Sequence, residues 1–451
     1  MASTIPLQWE QVRPIGDGPA ARYSHCTVTF TSSQGMVYLF GGFSGLSPMD
    51  CSSGCTFYND VWLYDAPAQG WEEVAFASSE ANCSTNTPSK ESKSPTKRAE
   101  HAMASHGSGA LMCGGFTSNS TSGGITLIQD QFGLIDCWWL FPIPNAAWYP
   151  SGIKTFQSSG PSPRYSHSLV FEPSFQKYLL FGGRDATFSM LNDCWQFDPT
   201  ILSSDPAFQW LPCVNTGVIA PSPRFGHGAA VFRGALYILG GYASDGLSGA
   251  VAQNDMWTLA DYAGNGSWEQ VMPASASPQG RAYFGWWQTG FFLYVAGGEG
   301  TSETLQDTWS FNFFTKVWSP VSSKDATLQG SRFSVAMPDS RTAVSFGGKA
   351  AKGVAMGKLF AFAADNGWTL LLPAGDRPSR RSGHVAAYDG TSNRMIVALG
   401  MDARHSFLAD IWALDLASNM WSCLAGESTT CARRPVPPPA GPGPFGFPAS
   451  C

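Results

Sequence analysis

A short apolar segment that ends in glycine recurs seven times along this chain of 451 residues, and it limits the possible folds more than any other feature. Six copies end in a glycine pair: Gly41 and Gly42, Gly114 and Gly115, Gly182 and Gly183, Gly240 and Gly241, Gly297 and Gly298, and Gly347 and Gly348. The seventh copy ends in Leu399-Gly400-Met401, which we align as a copy that has lost its second glycine. Recurrence at a period of 50 to 73 residues predicts a repeat architecture.

Three further features recur around each glycine pair. An arginine precedes each copy, and five of the seven repeats place a histidine three residues after it. The arginines are Arg22, Arg98, Arg164, Arg224, Arg281, Arg332 and Arg381; the histidines are His25, His101, His167, His227 and His384. An Asp-x-Trp motif follows in every repeat except repeat six, which has Gly357-Lys358-Leu359-Phe360 instead. A single tryptophan then follows in all seven repeats.

These runs of four to six residues predict strands rather than helices. They are rich in aromatic and β-branched residues, they are separated by Gly, Pro, Asn and Asp, and no 3.6-residue apolar period persists. Each repeat therefore predicts four strands that form one small sheet with two apolar faces. Radial stacking of such sheets buries both faces and leaves only short edges.

The complete pattern resembles the kelch repeat over about residues 22–424. The resemblance implies an all-β propeller with seven four-stranded blades around a central channel, which we place at residues 1–430. It also implies that the loops of one face bind partner peptides. We further expect a stand-alone kelch protein, since the repeats begin within the first dozen residues.

The two ends of the repeat region leave one alternative open. Trp9-Glu10-Gln11-Val12 resembles a fourth strand, and so does the segment at Trp421, so either could complete the last blade. Residues 76–97 form an insertion rich in Ser, Thr, Asn and Lys, which we expect to be a mobile loop. The Pro/Gly-rich residues 431–451 predict an extended, unpacked tail.

Composition limits the classes of partner that the chain can bind and bears on the cellular compartment in which it is found. A net charge of −6 gives no basic surface for nucleic acid, and no apolar run is long enough for membrane insertion. The start of the chain does not resemble a signal peptide, so we expect a cytoplasmic monomer. Secretion is the alternative, because Asn-x-Ser/Thr triplets occur at Asn82, Asn119 and Asn265, and Cys51 with Cys55 or Cys423 with Cys431 could form loop disulfides.

Motifs for catalysis or metal binding are lacking in the sequence. The Glu-x-x-x-Asp-x-x-x-His pattern of some kelch enzymes fails here, because Glu303 and Asp307 are followed by Phe311. Because the histidines recur in blade after blade, a structural role within each blade explains them better than metal binding does. We therefore expect no enzyme activity, no cofactor and no metal.

The repeated arginines have two interpretations. Each guanidinium could hold carbonyl groups or a carboxylate of its own blade. Alternatively, the seven arginines could form a ring of donors that binds an acidic or phosphorylated peptide at one face. In the 76–97 insertion, Thr87 and Ser94 fit a proline-directed phosphorylation pattern.

The sequence thus predicts a non-enzymatic scaffold or adaptor that binds a protein partner through the loops of one propeller face. Two alternatives are a kelch-type enzyme that acts on a sugar or another small molecule at the channel mouth, and an extracellular recognition domain.

Overall fold

The computed structural model describes most of the repeat region. The ranges described are 18–29, 36–45, 55–65, 70–74, 95–106, 109–118, 125–129, 135–141, 147–150, 160–199, 210–246, 249–322, 330–337, 342–350, 354–373, 377–390, 392–417 and 420–425. Trp9, Thr87, Ser94 and the tail 431–451 lie outside them, so the predictions about these residues stay predictions.

Strands and turns make up the described residues, and 28 of the strands form seven four-stranded sheets, here called blades 1 to 7. Blades 1 to 3 comprise Cys26–Thr29, Met36–Phe40, Val61–Asp65 and Gly70–Glu73; Ala102–His106, Gly109–Cys113, Cys137–Phe141 and Ala147–Pro150; and Ser168–Glu172, Lys177–Arg184, Met190–Phe197 and Leu211–Pro212.

Blades 4 to 7 have the same order of strands. They comprise Gly228–Phe232, Ala235–Leu239, Met256–Leu259 and Trp268–Gln270; Gly285–Thr289, Phe292–Ala296, Thr308–Asn312 and Val317–Pro320; Ser334–Ala336, Thr342–Phe346, Leu359–Ala363 and Gly367–Leu371; and Val385–Asp389, Arg394–Ala398, Ile411–Asp415 and Met420–Ala425.

Every blade is an antiparallel meander in which strands pair in chain order. In blade 4, Ile238 of the second strand lies opposite Ala229 of the first and Trp257 of the third. The second strand is therefore central and its backbone groups are paired on both sides. This explains why the sequence repeats are most apolar just before the glycine pair.

The second strands are buried on both faces, and this closes the blades into a ring. Successive side chains on a strand point to opposite faces. In blade 1, Val37 and Leu39 pack against blade 7, while Tyr38 and Phe40 pack against blade 2. Seven apolar clusters of this kind join each blade to the next, the last joining blade 7 to blade 1. The all-β propeller expected from the sequence is confirmed.

The glycine pair ends the second strand with two left-handed residues. Gly41 has φ +69° and Gly42 φ +94°. A Cβ atom at Gly41 would lie 2.7 Å from the Arg98 carbonyl oxygen of the next blade, which is closer than side-chain carbons approach. At Gly41, a positive φ together with so close a backbone neighbour strongly favours glycine.

The alignment of the seventh copy was wrong. In blade 7, Leu399 has φ +63° and Gly400 φ +94°, so Leu399 occupies the first glycine position and Gly400 the second. The Arg381 side chain confirms this register, because it donates to the Leu399 carbonyl as Arg22 donates to that of Gly41. The copy has therefore lost its first glycine, and a buried leucine adopts the left-handed conformation.

Blade 7 obtains its fourth strand from its own repeat. The strand Met420–Ala425 pairs with Ile411–Asp415, and Trp421 lies opposite Leu414. The alternative at Trp9 lies outside the described residues.

The two faces of the ring differ in their loops. At the face where first strands begin and second strands end, three short ladders add a second layer: Phe43–Ser44 with Thr56–Phe57; Phe116–Ser118 with Ile125–Leu127; and Arg224–Phe225, Tyr242–Ser244 and Ala250–Ala252. We call this the ladder face. The opposite turn face carries the turns that contain Phe175, Arg233, Phe291 and Phe314. Among the described residues, no helix is long and apolar enough to cross a membrane.

Candidate functional site

Six of the seven repeat arginines are buried inside their own blades. Each has at most 1% of its surface exposed and forms an ion pair with the aspartate of its own Asp-x-Trp motif. The pairs are Arg22–Asp60, Arg98–Asp136, Arg164–Asp193, Arg224–Asp255, Arg281–Asp307 and Arg381–Asp410.

Blade 4 shows how the geometry satisfies the guanidinium. Arg224 donates to Asp255 from both Nη atoms, at 2.7 and 2.8 Å, and to the Gly240 carbonyl at 2.9 Å. Its Nε donates to the Ser222 carbonyl at 3.0 Å. The indole N–H of Trp257 donates to the same aspartate at 2.6 Å, because residues two apart lie on one side of a strand.

The aspartate remains ionised in this environment. Burial raises the pKa of Asp255, but the hydrogen bonds and the positive charge of Arg224 outweigh burial and bring the pKa below its ordinary value. The Asp-x-Trp motif is thus the acceptor half of an internal clamp, and the repeat arginine is the donor half.

The hypothesis that these arginines form a ring of donors for a peptide needs correction. Six guanidinium groups donate to carbonyl groups and carboxylates of their own blades and present no donors to the ladder face. The arginines recur because each blade uses one for this internal ion pair, which agrees with the first of the two interpretations above.

Arg332 was placed in the wrong register. In blade 6 the position of the clamp arginine is occupied by Gly330, whose carbonyl accepts from Gly298 just as that of Arg281 accepts from Gly241. Lys358 takes the place of the aspartate, since its carbonyl accepts from Gly347. Phe360 takes the place of the tryptophan, so all three members of the clamp are absent together. Arg332 lies two residues further along, at a different kind of position.

The residues at that position in successive blades are linked by backbone hydrogen bonds and form a ring around the axis. Its residues all have φ between +49° and +64° and all are half-buried. Backbone N–H groups donate to the carbonyl of the preceding blade, as from Tyr283 to Gly226 at 3.0 Å and from Arg332 to Tyr283 at 3.3 Å. We call these seven residues the axial ring: Ser24, Glu100, Ser166, Gly226, Tyr283, Arg332 and Gly383.

Arg332 connects distant parts of the axial ring. It donates to Glu299 Oε1 at 3.1 Å and to the hydroxyl of Tyr23 at 2.7 Å, and its guanidinium lies 4.1 Å from the ring centroid of Tyr283. Its side chain is 27% exposed, whereas those of the six clamp arginines are at most 1% exposed. Arg332 is therefore the repeat arginine that reaches the ladder face.

Two glycines of the axial ring make room for tyrosine rings from neighbouring blades. A Cβ atom at Gly383 would lie 1.9 Å from the Tyr23 ring, and one at Gly226 would lie 3.1 Å from the Tyr283 ring. Between these two places, in blades 2 and 3, the hydroxyl of Ser166 donates to the carboxylate of Glu100. The mouth of the channel is thus lined by tyrosines, one arginine and two glutamates, and Glu299 is the second of these.

The repeated histidines lie between blades. The His227 ring contacts Phe181 of the preceding blade edge-on, with 5.4 Å between centroids. Burial, followed by the charge of Arg224, lowers the pKa of His227 to about 3. Phe284 and Phe333 hold the same position in blades 5 and 6, so the site accepts an apolar aromatic ring as well as an imidazole.

Comparison with known proteins agrees with this geometry. The family model described as the KLHDC2/KLHL20/DRC7 Kelch-repeats domain matches residues 123–348, just over half of the chain. The chain belongs to the kelch-repeat family. The chain is 25% identical over 342 residues to the leucine-zipper-like transcriptional regulator 1 homolog of Drosophila melanogaster, with 74% of this chain and 27% of that protein aligned.

Other kelch relatives are similarly distant. Acyl-CoA-binding domain-containing protein 5 of Arabidopsis thaliana is 24% identical over 320 residues, or 70% of this chain and 42% of that protein. The flagellar outer arm dynein alpha chain of Chlamydomonas reinhardtii is 30% identical over 166 residues, or 36% of this chain and 3% of that protein. The chain thus spans less than half the length of each of these relatives.

Disulfides also occur within the kelch blades. Cys113 and Cys137 join the second and third strands of blade 2. In blade 3, Cys194 of the third strand is joined to Cys213, which directly follows the fourth strand. Cys26 and Cys55 are disulfide-bonded as well; Cys51 and Cys431 lie outside the described residues. Within the described ranges, no group of three or more His, Cys, Asp or Glu side chains is placed to hold a metal ion.

The axial ring is the feature that reasoning from the sequence missed. Its residues stand two positions after the clamp arginine in six repeats, but they share no side-chain type that a motif search could find. A signal was nevertheless present, because in six repeats this position lies between the clamp arginine and a histidine or phenylalanine.

Proposed function

We propose that this kelch chain is a non-enzymatic scaffold or adaptor that binds a partner protein or peptide at the ladder face, around the axial ring. The observation that carries the proposal is a contrast between equivalent positions. The clamp residues are the same in six blades. In the axial ring the backbone conformation is the same in all seven blades, but the residue type varies among serine, glutamate, glycine, tyrosine and arginine. Positions alike in every blade serve the scaffold; positions that differ on a fixed scaffold supply specificity.

Aromatic residues around the axial ring support this choice of face. Phe43, Phe57, Phe116 and Tyr165 form one apolar cluster on the ladder face, and Phe407 of blade 7 packs against it. The cluster rigidly supports the loops near Tyr23, which is a property of binding surfaces that change little when a partner docks.

The test blocks the mouth of the channel without altering the blades. Ser24→Arg together with Ser166→Arg adds two long side chains at the axial ring, where Arg332 already adopts the same backbone conformation at φ +52°. Thr315→Arg with Ala364→Arg is the matched control, because it adds the same charge at exposed turns of the turn face. Affinity capture from cells should lose its partners with the first double variant and retain them with the second.

The opposite pattern, in which only the turn-face variant loses partners, would place the binding site on the other face. Both variants should show the unfolding temperature of the natural chain, so that a loss of partners is not a loss of folding.

Extracellular recognition is a second candidate function, favoured by one observation. Disulfides such as Cys113–Cys137 and Cys194–Cys213 are typical of an oxidising compartment, whereas cytoplasmic thiols stay reduced. Counting free thiols on native material decides between this candidate and the cytoplasmic adaptor. For the sugar-acting enzyme, a stoichiometric transition metal in the purified chain would be the decisive finding.

A further inference from the structure

The charge at the mouth of the channel has the opposite sign from what the repeat arginines suggest. Seven arginines at one face would attract an acidic peptide, but six of them are buried in ion pairs with their own aspartates. Among the described side chains at the axial ring, Glu100 and Glu299 carry negative charge and Arg332 carries positive charge. These three groups have a net charge of −1, which favours binding of a cation there.

These charged groups act on one centre. The pKa of Tyr283 is raised, first by burial and then by the negative charge of Glu100, while the charge of Arg332 lowers it and that of Glu299 raises it again. Glu100 comes from blade 2 and Glu299 from blade 5, so negative charge from two different blades acts on the Tyr283 hydroxyl.

Arg332 shows how this mouth holds a cation. Its guanidinium is bound by a carboxylate (Glu299), a phenol oxygen (Tyr23) and an aromatic face (Tyr283). The same face holds a second guanidinium on an aromatic ring, since Arg184 lies 4.4 Å from the centroid of Phe225. Aromatic faces bind cations most strongly when water is partly excluded.

Glu100 has a different environment from Glu299. Its carboxylate accepts from the hydroxyl of Ser166, which orients it, and it forms no ion pair at salt-bridge distance among the described residues. Glu100 is half-buried, so it is accessible from the ladder face. An oriented carboxylate beside tyrosine rings is suited to a charged hydrogen-bond donor from outside the chain.

We propose that the axial mouth binds a basic side chain, arginine or lysine, of the partner peptide, with Glu100 as its counter-ion. This inference rests on the proposed function, because it names the chemistry of the partner at that same face. An acidic peptide is the opposing possibility, and the experiment below separates the two.

Fluorescein-labelled penta-arginine and pentaglutamate are the probes, with binding followed by fluorescence anisotropy. The natural chain should bind penta-arginine at least about tenfold more tightly than pentaglutamate. Glu100→Gln should weaken binding of penta-arginine about fivefold or more. Arg332→Gln should strengthen it, because this substitution removes the competing cation.

The matched control is Glu269→Gln, which removes one negative charge from an exposed outer strand of blade 4. It should change the affinity less than twofold, so that a general attraction to an acidic chain is distinguished from binding at the mouth. Tighter binding of pentaglutamate, binding of neither peptide, or equal effects of Glu100→Gln and Glu269→Gln would overturn the inference. If the Ser24→Arg and Ser166→Arg pair still abolished capture of partners in that case, the proposed function would stand.

Discussion

Arg224 and Arg332 follow the same sequence pattern but lie in different environments. Arg224 is fully buried and makes five donor contacts inside blade 4, whereas Arg332 is partly exposed at the channel mouth. Removing one partner of a buried ion pair leaves the other charge desolvated, which costs more free energy than the loss of an exposed pair. The two arginines therefore allow a direct test of which residues belong to the scaffold.

We predict that Arg224→Met lowers the free energy of unfolding by about 3 kcal/mol or more, because it strands the Asp255 carboxylate. Arg332→Met should lower it by about 1 kcal/mol or less, since Glu299 can be hydrated there. Denaturant titration followed by tryptophan fluorescence measures both. Equal losses in the two variants would contradict the assignment of Arg224 to the clamp and of Arg332 to the ladder face.

Reasoning from the sequence identified the clamp residues but could not pair them. The arginine and the Asp-x-Trp motif recur at similar distances, and their spacing alone does not show that the guanidinium reaches the carboxylate. In repeat six, alignment by residue type matched Arg332 to the clamp arginine, although the true equivalent is Gly330. Only the backbone hydrogen bonds show this register. Residue type does not show it, because repeat six lacks the arginine, the aspartate and the tryptophan of the clamp.

At the level of the blade, the histidines determine how sheets stack and how stacking responds to pH. Burial, followed by the charge of Arg164 and that of His227, lowers the pKa of His167 to about 3, although Asp193 raises it slightly. The ordinary value is near 6.5, so the unfolded chain binds a proton that the folded chain rejects. This histidine therefore stabilises the fold above about pH 6.5 and loses that contribution as the pH falls toward 3.

His167→Phe should make the chain less sensitive to acid. Phe284 and Phe333 show that phenylalanine fits the same position in other blades. We expect the fall in unfolding temperature between pH 8 and pH 5 to be smaller in the variant than in the natural chain. His405→Asn is the control, because His405 is exposed in a turn, and asparagine tolerates its left-handed conformation. An unchanged acid response in His167→Phe would show that this histidine titrates normally.

The blade illustrates which elements a sequence can specify. Strands two and three could be placed because their apolar runs end in glycine or begin with Asp-x-Trp. The short strands of the ladder face were not predicted, since segments such as Phe43–Ser44 are two residues long and carry no periodicity. The loss of a glycine in repeat seven was recognised but assigned to the wrong residue, because only the φ angles show that Leu399 is the substitute.

For the whole molecule, the repeated residues explain the ring, and we assign the function to the axial-ring positions, which differ between blades. Seven apolar clusters, one between each pair of neighbouring blades, close the blades into a circle, which the recurring sequence predicts directly. The sequence marks the axial-ring position within single repeats, but it does not show which side chains meet, because the seven residues come together only when the circle is closed. Tyr23 and Arg332, for example, are 309 residues apart and share a hydrogen bond.

Hydrogen–deuterium exchange of the chain, alone and with a captured partner, tests most directly whether binding occurs at the ladder face. We predict added protection in peptides that cover the axial ring, around Tyr23, Glu100 and Tyr283. Peptides that cover the turns at Phe175 and Phe314 should exchange at the same rate with and without the partner. Protection at those turns, with none around the axis, would show that the partner binds the turn face instead.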